Sequence, residues 1–330
     1  MTPFAGMLGD DPPLPLEGRS AAAAAARAAL DRAVSLKTPA LITAEAGCRP
    51  ETIALALHAR SRRAEPFVVV HCGAGDAESV ERILFGSAGE RAAASDLETV
   101  SSDAAIIRAA AGTLFLDSIE ELPAASQRRL ARVLRDAEVR AVDGRALQTR
   151  FRLVAATACD LELEAREGRF RGELVKRLAS CPIAVPPLRQ RSSDVPGIFE
   201  RLATAATGAS VSLTAPALTV LISLPWTRNI DELSELVSRV APPGGGAIRQ
   251  EDILGHLPLA GSLNRIGLTA SLREARRQFE RDYIAAVLER HRWSMRDAAR
   301  TLGIERANLY RKTRQLGIVR ASRDTAAVQR

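Results

Sequence analysis

The stretch Ala40 to Glu51, ALITAEAGCRPE, has the order of a phosphate-binding loop: an apolar strand, a glycine-containing turn, then the helical pattern Thr52-Ile53-Ala54-Leu55-Ala56-Leu57-His58. Such a turn grips phosphate by aiming successive backbone N–H groups at it and adding a lysine ammonium. Here the lysine and most of the glycines are missing: Gly47 remains, and Cys48, Arg49, Pro50 and Glu51 follow it before the helical pattern. Proline removes an amide and supplies no charge. Arg49 carries a charge, yet its bulk falls where backbone and ligand must approach closely. A second set of chemical groups lies at the far end, where Arg306, Asn308, Arg311, Lys312 and Arg314 recur on the outward face of a short helical pattern.

The elements that must position these groups can be read from length, composition and periodicity. A chain of 330 residues with 46% hydrophobic content is long enough for two or three domains with their own cores. It has no apolar run of about 18 residues, and MTPFAGMLGDDPPLPLEG at the start is acidic and proline-rich, unlike a signal peptide. A cytoplasmic protein with no membrane partner is expected. Cys48, Cys72, Cys159 and Cys181 lie far apart without a C-x-x-C pair, which favours reduced core thiols over a metal site or disulfides. Residues 271–330 hold 15 Lys and Arg against 7 Asp and Glu, while the whole chain is only +7, so all the excess positive charge is C-terminal. That asymmetry suits a polyanion such as nucleic acid, with a solvated basic tail as the alternative.

After the proline-rich start, Ser20 to Ser35 reads as an alanine-rich helix. Apolar runs suited to buried parallel strands follow at 40–43, 67–72, 113–117, 152–156 and 183–185, separated by helical patterns. This alternation predicts a doubly wound α/β domain with a mainly parallel sheet and a ligand site at the carboxyl ends of its strands. From about Ser193 to Val240 helical segments follow without strands, the chain loosens at APPGGG (Ala241 to Gly246), and a short helix spans about Arg249 to Leu257. Leu272, Ala275, Phe279, Tyr283, Ile284, Val287 and Leu288 predict a helix over 272–290. A second begins at Ser294, with Asp297 as a capping-box-like partner and Met295, Ala298, Ala299 and Leu302 as its apolar face. Gly303 breaks it, and a third helix from about Arg306 turns Leu309, Thr313 and Leu316 inward before Gly317. Two short helices around a glycine turn, the second basic, predict a helix-turn-helix; a helical dimerisation bundle with a solvated basic face is the alternative.

Five stretches in one order carry a resemblance: GTLFLDSIEELP (Gly112 to Pro123) followed by QRRLARVL, FRLVAAT (Phe151 to Thr157), GRFRGELVKRL (Gly168 to Leu178), PPLRQRSSDVP (Pro186 to Pro196) and LGIERANLYRKTRQLGI (Leu302 to Ile318). They resemble the bacterial sigma-54-dependent transcriptional activators. The resemblance covers the AAA+ ATPase domain over roughly Gly18 to Leu257 and a Fis-type helix-turn-helix at the C-terminus, and it begins so early that no receiver or sensory domain is expected in front. It implies that Glu305 and Arg306 face base edges in the major groove, while Asn308, Tyr310, Arg311, Lys312 and Arg314 meet the phosphate backbone or its neighbourhood.

The same resemblance measures the departures. Where the family carries GESGTGKE, this chain has Ala44 to Glu51, with Pro50 at the lysine's position. Asp117 matches the carboxylate that holds Mg²⁺ through water, but Ser118 replaces the glutamate that polarises the attacking water. Ala158 stands at the usual sensor asparagine, and Asp231 at the lid arginine that senses nucleotide, where a carboxylate repels phosphate. Arg171 and Arg177 match the positions of arginine fingers, a match that helix surface in an arginine-rich chain also explains. The GAFTGA hexapeptide that touches the sigma factor is absent from Phe85 to Gly112, so contact with sigma-54 RNA polymerase lacks an obvious surface.

The expected organisation is a flexible N-terminus over 1–17, a degenerate AAA+ α/β subdomain over 18–192, a helical lid over 193–258, a linker over 259–270, the Fis-type domain over 271–318 and a tail over 319–330. The expected protein is a sequence-specific regulator on double-stranded DNA and not an enzyme. It would act by DNA occupancy or by association with partner regulators instead of ATP-driven remodelling. It would dimerise through its C-terminal helices, with higher homo- or hetero-oligomers formed with AAA+ relatives. No cofactor or metal is expected to be required, and Mg²⁺ enters only if ATP or ADP binds. The other readings are an ATP-binding activator with Arg49 or another base in place of lysine, and an architectural DNA binder of low specificity.

Overall fold

The structure is a computed structural model and describes residues 14–62, 64–87, 97–257, 280–281, 284–285, 287–288 and 293–318. Two compact units divide the chain, one closing at Gln250 and the other opening at Glu251. In the first, the elements in chain order are α1 (Ala21–Ser35), β1 (Ala40–Thr43), α2 (Pro50–Arg62), β2 (Phe67–His71), α3 (Ala77–Phe85), β3 (Glu98–Val100), α4 (Ala105–Arg108), β4 (Thr113–Asp117), α5 (Ala124–Asp136), β5 (Glu138–Ala141), β6 (Ala146–Gln148), β7 (Arg152–Thr157), α6 (Leu161–Arg166), α7 (Gly172–Leu178), β8 (Pro182–Ala184), α8 (Val195–Thr207), β9 (Val211–Leu213), α9 (Ala215–Ser223), α10 (Asn229–Val240) and β10 (Gly246–Ile248).

The main sheet has the order β2-β4-β7-β1-β8, and each of its pairings is parallel. All six residues of β7 are buried, and in β4 Leu114 and Leu116 enter one core cluster while Phe115 between them enters the other. Successive side chains point to opposite faces, so two covered faces turn the sequence into a continuous apolar run. One face packs on Leu84, Leu130 and Leu174 of α3, α5 and α7; the other packs on Leu30, Ile53 and Leu57 of α1 and α2. The expected doubly wound α/β domain is therefore present, with all five predicted strands within a residue or so of their bounds.

The expectation of no strand between 193 and 240 is corrected: β9 pairs in parallel with β10, Val211 beside Gly246. Each of these strands is three residues long, too short to show a period, and each forms only because the other is brought to it. The same reason hides the second small sheet, β3-β5-β6, whose β5–β6 hairpin turns at Gly144 with φ +89°. The segment 88–96, within the stretch that lacks the GAFTGA hexapeptide, lies outside the described residues.

Where the chain enters the fold, its backbone is tied to the start of α8. Asp194 accepts hydrogen bonds from the amides of Arg19 and Ser20, both at 2.9 Å, and from the Ser20 hydroxyl. Arg27 donates to the carbonyls of Leu16 and Gly18 at 2.7 Å, Arg191 donates to that of Glu17 at 2.9 Å, and Arg201 reaches the Glu17 carboxylate at 2.8 Å. Gly18 is required here, because with φ +123° a Cβ would stand 2.1 Å from Asp194 Cγ.

In the second unit the helices Met295–Thr301 and Arg306–Gln315 pack through Ala298, Ala299, Leu309 and Leu316 on Ile284, Val287 and Leu288. Gly303, at φ +65°, ends the first of the two helices, as predicted from the Gly turn. The expected helix over 272–290 is helical at 280–281, 284–285 and 287–288; its other positions, like the linker over 259–270 and the tail over 319–330, lie outside the described residues, as does the side chain of Asp297. Among the described residues no helix is long and apolar enough to cross a membrane.

Candidate functional site

The carboxyl end of β1 leads into a loop with two left-handed residues, Gly47 at φ +78° and Arg49 at φ +53°. The Cys48 amide donates to the Glu45 carbonyl at 3.1 Å, and the Arg49 carbonyl accepts from the amide and hydroxyl of Thr52 at 3.2 and 2.9 Å. Pro50 is the first residue of α2, a position where its missing N–H removes no intrahelical bond. The strand, turn and helix of a phosphate loop thus survive without its cation at the lysine position.

Helix α10 closes over this loop. Arg49 Nε donates to Asp231 Oδ1 at 2.7 Å and its Nη2 to Ser234 Oγ at 2.9 Å. Asn229 Nδ2 donates to the Ala46 carbonyl at 3.0 Å, and the Asp231 amide donates to the Gly47 carbonyl at 3.2 Å. Asn229 is fully buried and also accepts from the Leu188 amide at 2.9 Å. Beside it, the Arg189 guanidinium grips Glu45 through both carboxylate oxygens and holds that carboxyl below the usual carboxylate range. Burial pushes the Cys48 thiol up to about 11, so it is neutral near pH 7.

The remaining predicted positions sit at neighbouring strand ends. Asp117 closes β4, and its Oδ2 lies 3.1 Å from Nδ1 of His71, its register partner on β2. Ser118 follows in left-handed backbone at φ +53°. Ala158 offers only its amide, which donates to Glu120 Oε1 at 3.1 Å. Glu51 lies in the first turn of α2. The two candidate fingers differ: the Arg171 side chain is exposed, with no hydrogen bond or ion pair of its guanidinium among the described residues, whereas Arg177 Nη1 donates to the Leu134 carbonyl at 3.0 Å. The structure therefore joins Gly47 and Arg49 to Asp231, leaves Asp117, Ser118 and Ala158 on adjacent strands, and anchors only one finger inside the subunit.

Sequence reasoning did not single out Ser234, Asn229 or His71 as members of this site. Ser234 lies three residues beyond Asp231, on the same face of α10, which is the signal that could have found it. His71 was legible as the last residue of a strand whose neighbour ends at Asp117.

On the helix Arg306–Gln315, Glu305 stands just ahead of the first turn, and Arg306 holds its guanidinium 5.6 Å from the centre of the Tyr310 ring. Arg311 Nη2 donates to Asn308 Oδ1 at 3.0 Å, and Arg314 is exposed. Lys312 is paired with Glu280, so this cation already has a partner inside the unit. Leu309 is fully buried and fixes which face turns outward.

Fold and loop define a module of the AAA+ class, and the second unit a helix-turn-helix. Residues 16–184 match the Sigma-54 interaction domain, and residues 275–316 match the bacterial regulatory protein, Fis family. The chain belongs to the family of sigma-54-dependent transcriptional regulators. It is 33% identical over 325 residues to the nitrogen assimilation regulatory protein NtrX of Azorhizobium caulinodans, covering 93% of this chain and 70% of that protein. With the regulatory protein LuxO of Vibrio cholerae it shares 33% identity over 330 residues, covering 91% of this chain and 61% of LuxO. It thus spans less than two thirds of LuxO. The crystal structure of NtrX from Brucella abortus in complex with ATP superposes with a TM-score of 0.62 at 29% identity, covering 92% of this chain and 69% of that one.

Proposed function

We propose that this protein is a sequence-specific DNA-binding regulator whose AAA+ module does not hydrolyse ATP, and which acts by occupying DNA or by associating with partner regulators. The observation that carries this reading is the occupation of the loop by the chain's own groups: Arg49, the cation nearest the lost lysine, is committed to Asp231, and Pro50 has no charge to offer. A phosphate chain does not fit these residues, because it would have to displace a carboxylate from Arg49 and then lie beside it. Water activation is also unsupported, since Ser118 has no base chemistry at neutral pH and Asp117 faces His71.

On this reading the working contact is the helix Arg306–Gln315 on double-stranded DNA, with the protein in the cytoplasm as a dimer or a larger assembly with AAA+ relatives. Exposed Arg171 suits completion of a competent neighbour's site in such an assembly. The deciding experiment is ATP turnover by purified protein against an Asp117→Ala control. Turnover that is well above contamination and lost in the control would overturn the reading.

The ATP and ADP complexes of Brucella abortus NtrX favour a second reading, in which nucleotide binds here as a structural ligand or in an active site with an altered loop. Titration with labelled ATP and ADP separates this from the first.

A further inference from the structure

We infer that the Arg49–Asp231 pair does the joining that a nucleotide does in a cleft of this shape: it holds the lid helix on the loop constitutively, making a motor's moving joint a fixed one. The inference rests on the proposed absence of ATP turnover and assigns the residues that take the ligand's place. An AAA+ cleft has a loop on one wall and a lid on the other, and a bound polyanion bridges them by meeting cations on both. Here the bridge is intramolecular. The cation stands on the loop as Arg49, the anion on the lid as Asp231, 182 residues apart in sequence and 2.7 Å apart in space. A carboxylate at Asp231 alone would repel phosphate; paired with Arg49 it leaves no uncompensated charge.

Three further contacts, one of them backbone to backbone, join the lid to the loop. The Asp231 amide donates to the Gly47 carbonyl, the Asn229 side-chain amide donates to the Ala46 carbonyl, and Arg49 donates to the Ser234 hydroxyl, so two loop carbonyls and the loop cation are all taken up by the lid. Gly47 is pressed so closely on the Arg228 carbonyl that no atom fits between them. Asn229 secures the lid from its other side by accepting from Leu188.

The pair is partly exposed, with side-chain accessibilities of 36% and 51%, so its contribution is modest and its loss loosens the joint without unfolding the domain. The test is hydrogen exchange of peptides covering 44–52 and 226–236 in full-length protein. Arg49→Ala and Asp231→Ala should each speed exchange there about fivefold, Asp231→Arg more, and the exchanged pair Arg49→Asp with Asp231→Arg should return to within about twofold of wild type. Aspartate tolerates the left-handed backbone at 49, so the exchange of charges is sterically fair. Wild-type exchange in the same peptides should rise with salt and stay unchanged on adding ATP or ADP with Mg²⁺.

Single variants that exchange like wild type would overturn the inference, as would strong protection of these peptides by nucleotide. Hydrolysis measured on the same samples separates the two claims. Turnover by wild type, alongside variants that loosen as expected, sinks the functional reading and leaves the joint standing. No turnover, alongside variants that exchange like wild type, sinks the joint alone.

Discussion

A Cβ placed on Gly47 would stand 2.0 Å from the carbonyl oxygen of Arg228. Both partners are backbone, so no side-chain rotation relieves the overlap, and Gly47 also sits at φ +78°. Gly47→Ala is expected to cost roughly 1–3 kcal/mol from the strained backbone alone, read as a lower melting temperature, while Gly172→Ala, with nothing near its Cβ position and no positive φ, should shift it little. Equal melting temperatures for the two variants would contradict the closed loop.

The two candidate fingers should behave differently in an isolated subunit. Arg177 satisfies the Leu134 carbonyl, and Arg177→Ala should lower stability by about 0.5–1.5 kcal/mol in denaturant unfolding. Arg171→Ala should leave the unfolding midpoint unchanged and, on the proposed function, reduce turnover only in mixtures with a competent relative.

Thiol reactivity gives a chemical check of the core. Burial raises the Cys48 thiol to about 11 and the Cys72 thiol to about 12, and Cys181 is buried as well. A raised thiol value keeps these groups protonated until the pH approaches it from below, so alkylation at pH 8 should mark exposed Cys159 first. Mass spectrometry should find the other three modified only after denaturation.

On DNA, Arg306 and Arg314 should separate by kind of effect. Arg306→Ala is expected to weaken binding to selected sites by about 1–3 kcal/mol and to relax preference at one base position. Arg314→Ala should weaken binding to all sequences alike and reduce the salt slope by about one. Selection from random duplexes, followed by titration at several salt concentrations, distinguishes the two, and identical effects would contradict the assignment of Arg306 to base edges.

The long apolar runs of β4 and β7 were legible because burial on both faces leaves no other choice of side chain, and Gly303 and Gly317 were legible because helix ends ask for left-handed backbone. Strands β3, β6, β9 and β10 were not, since three residues hold no period and their pairing is decided by distant chain. The same limit applies to the loop. Pro50, Ser118 and Ala158 could be read as losses one by one, but Asp231 was legible only as a repulsion toward phosphate. That it has an arginine to meet depends on how α10 folds back over the sheet, which no local pattern states.

Asp194 and its neighbours give the entry of the chain a mechanical meaning. The ties from Arg19 and Ser20 to Asp194 at the start of α8, from Glu17 to Arg201 within that helix, and from Arg27 to Leu16 and Gly18 gather around one short stretch of backbone. A pull on the chain at Leu14 would therefore meet these bonds before it met the strands.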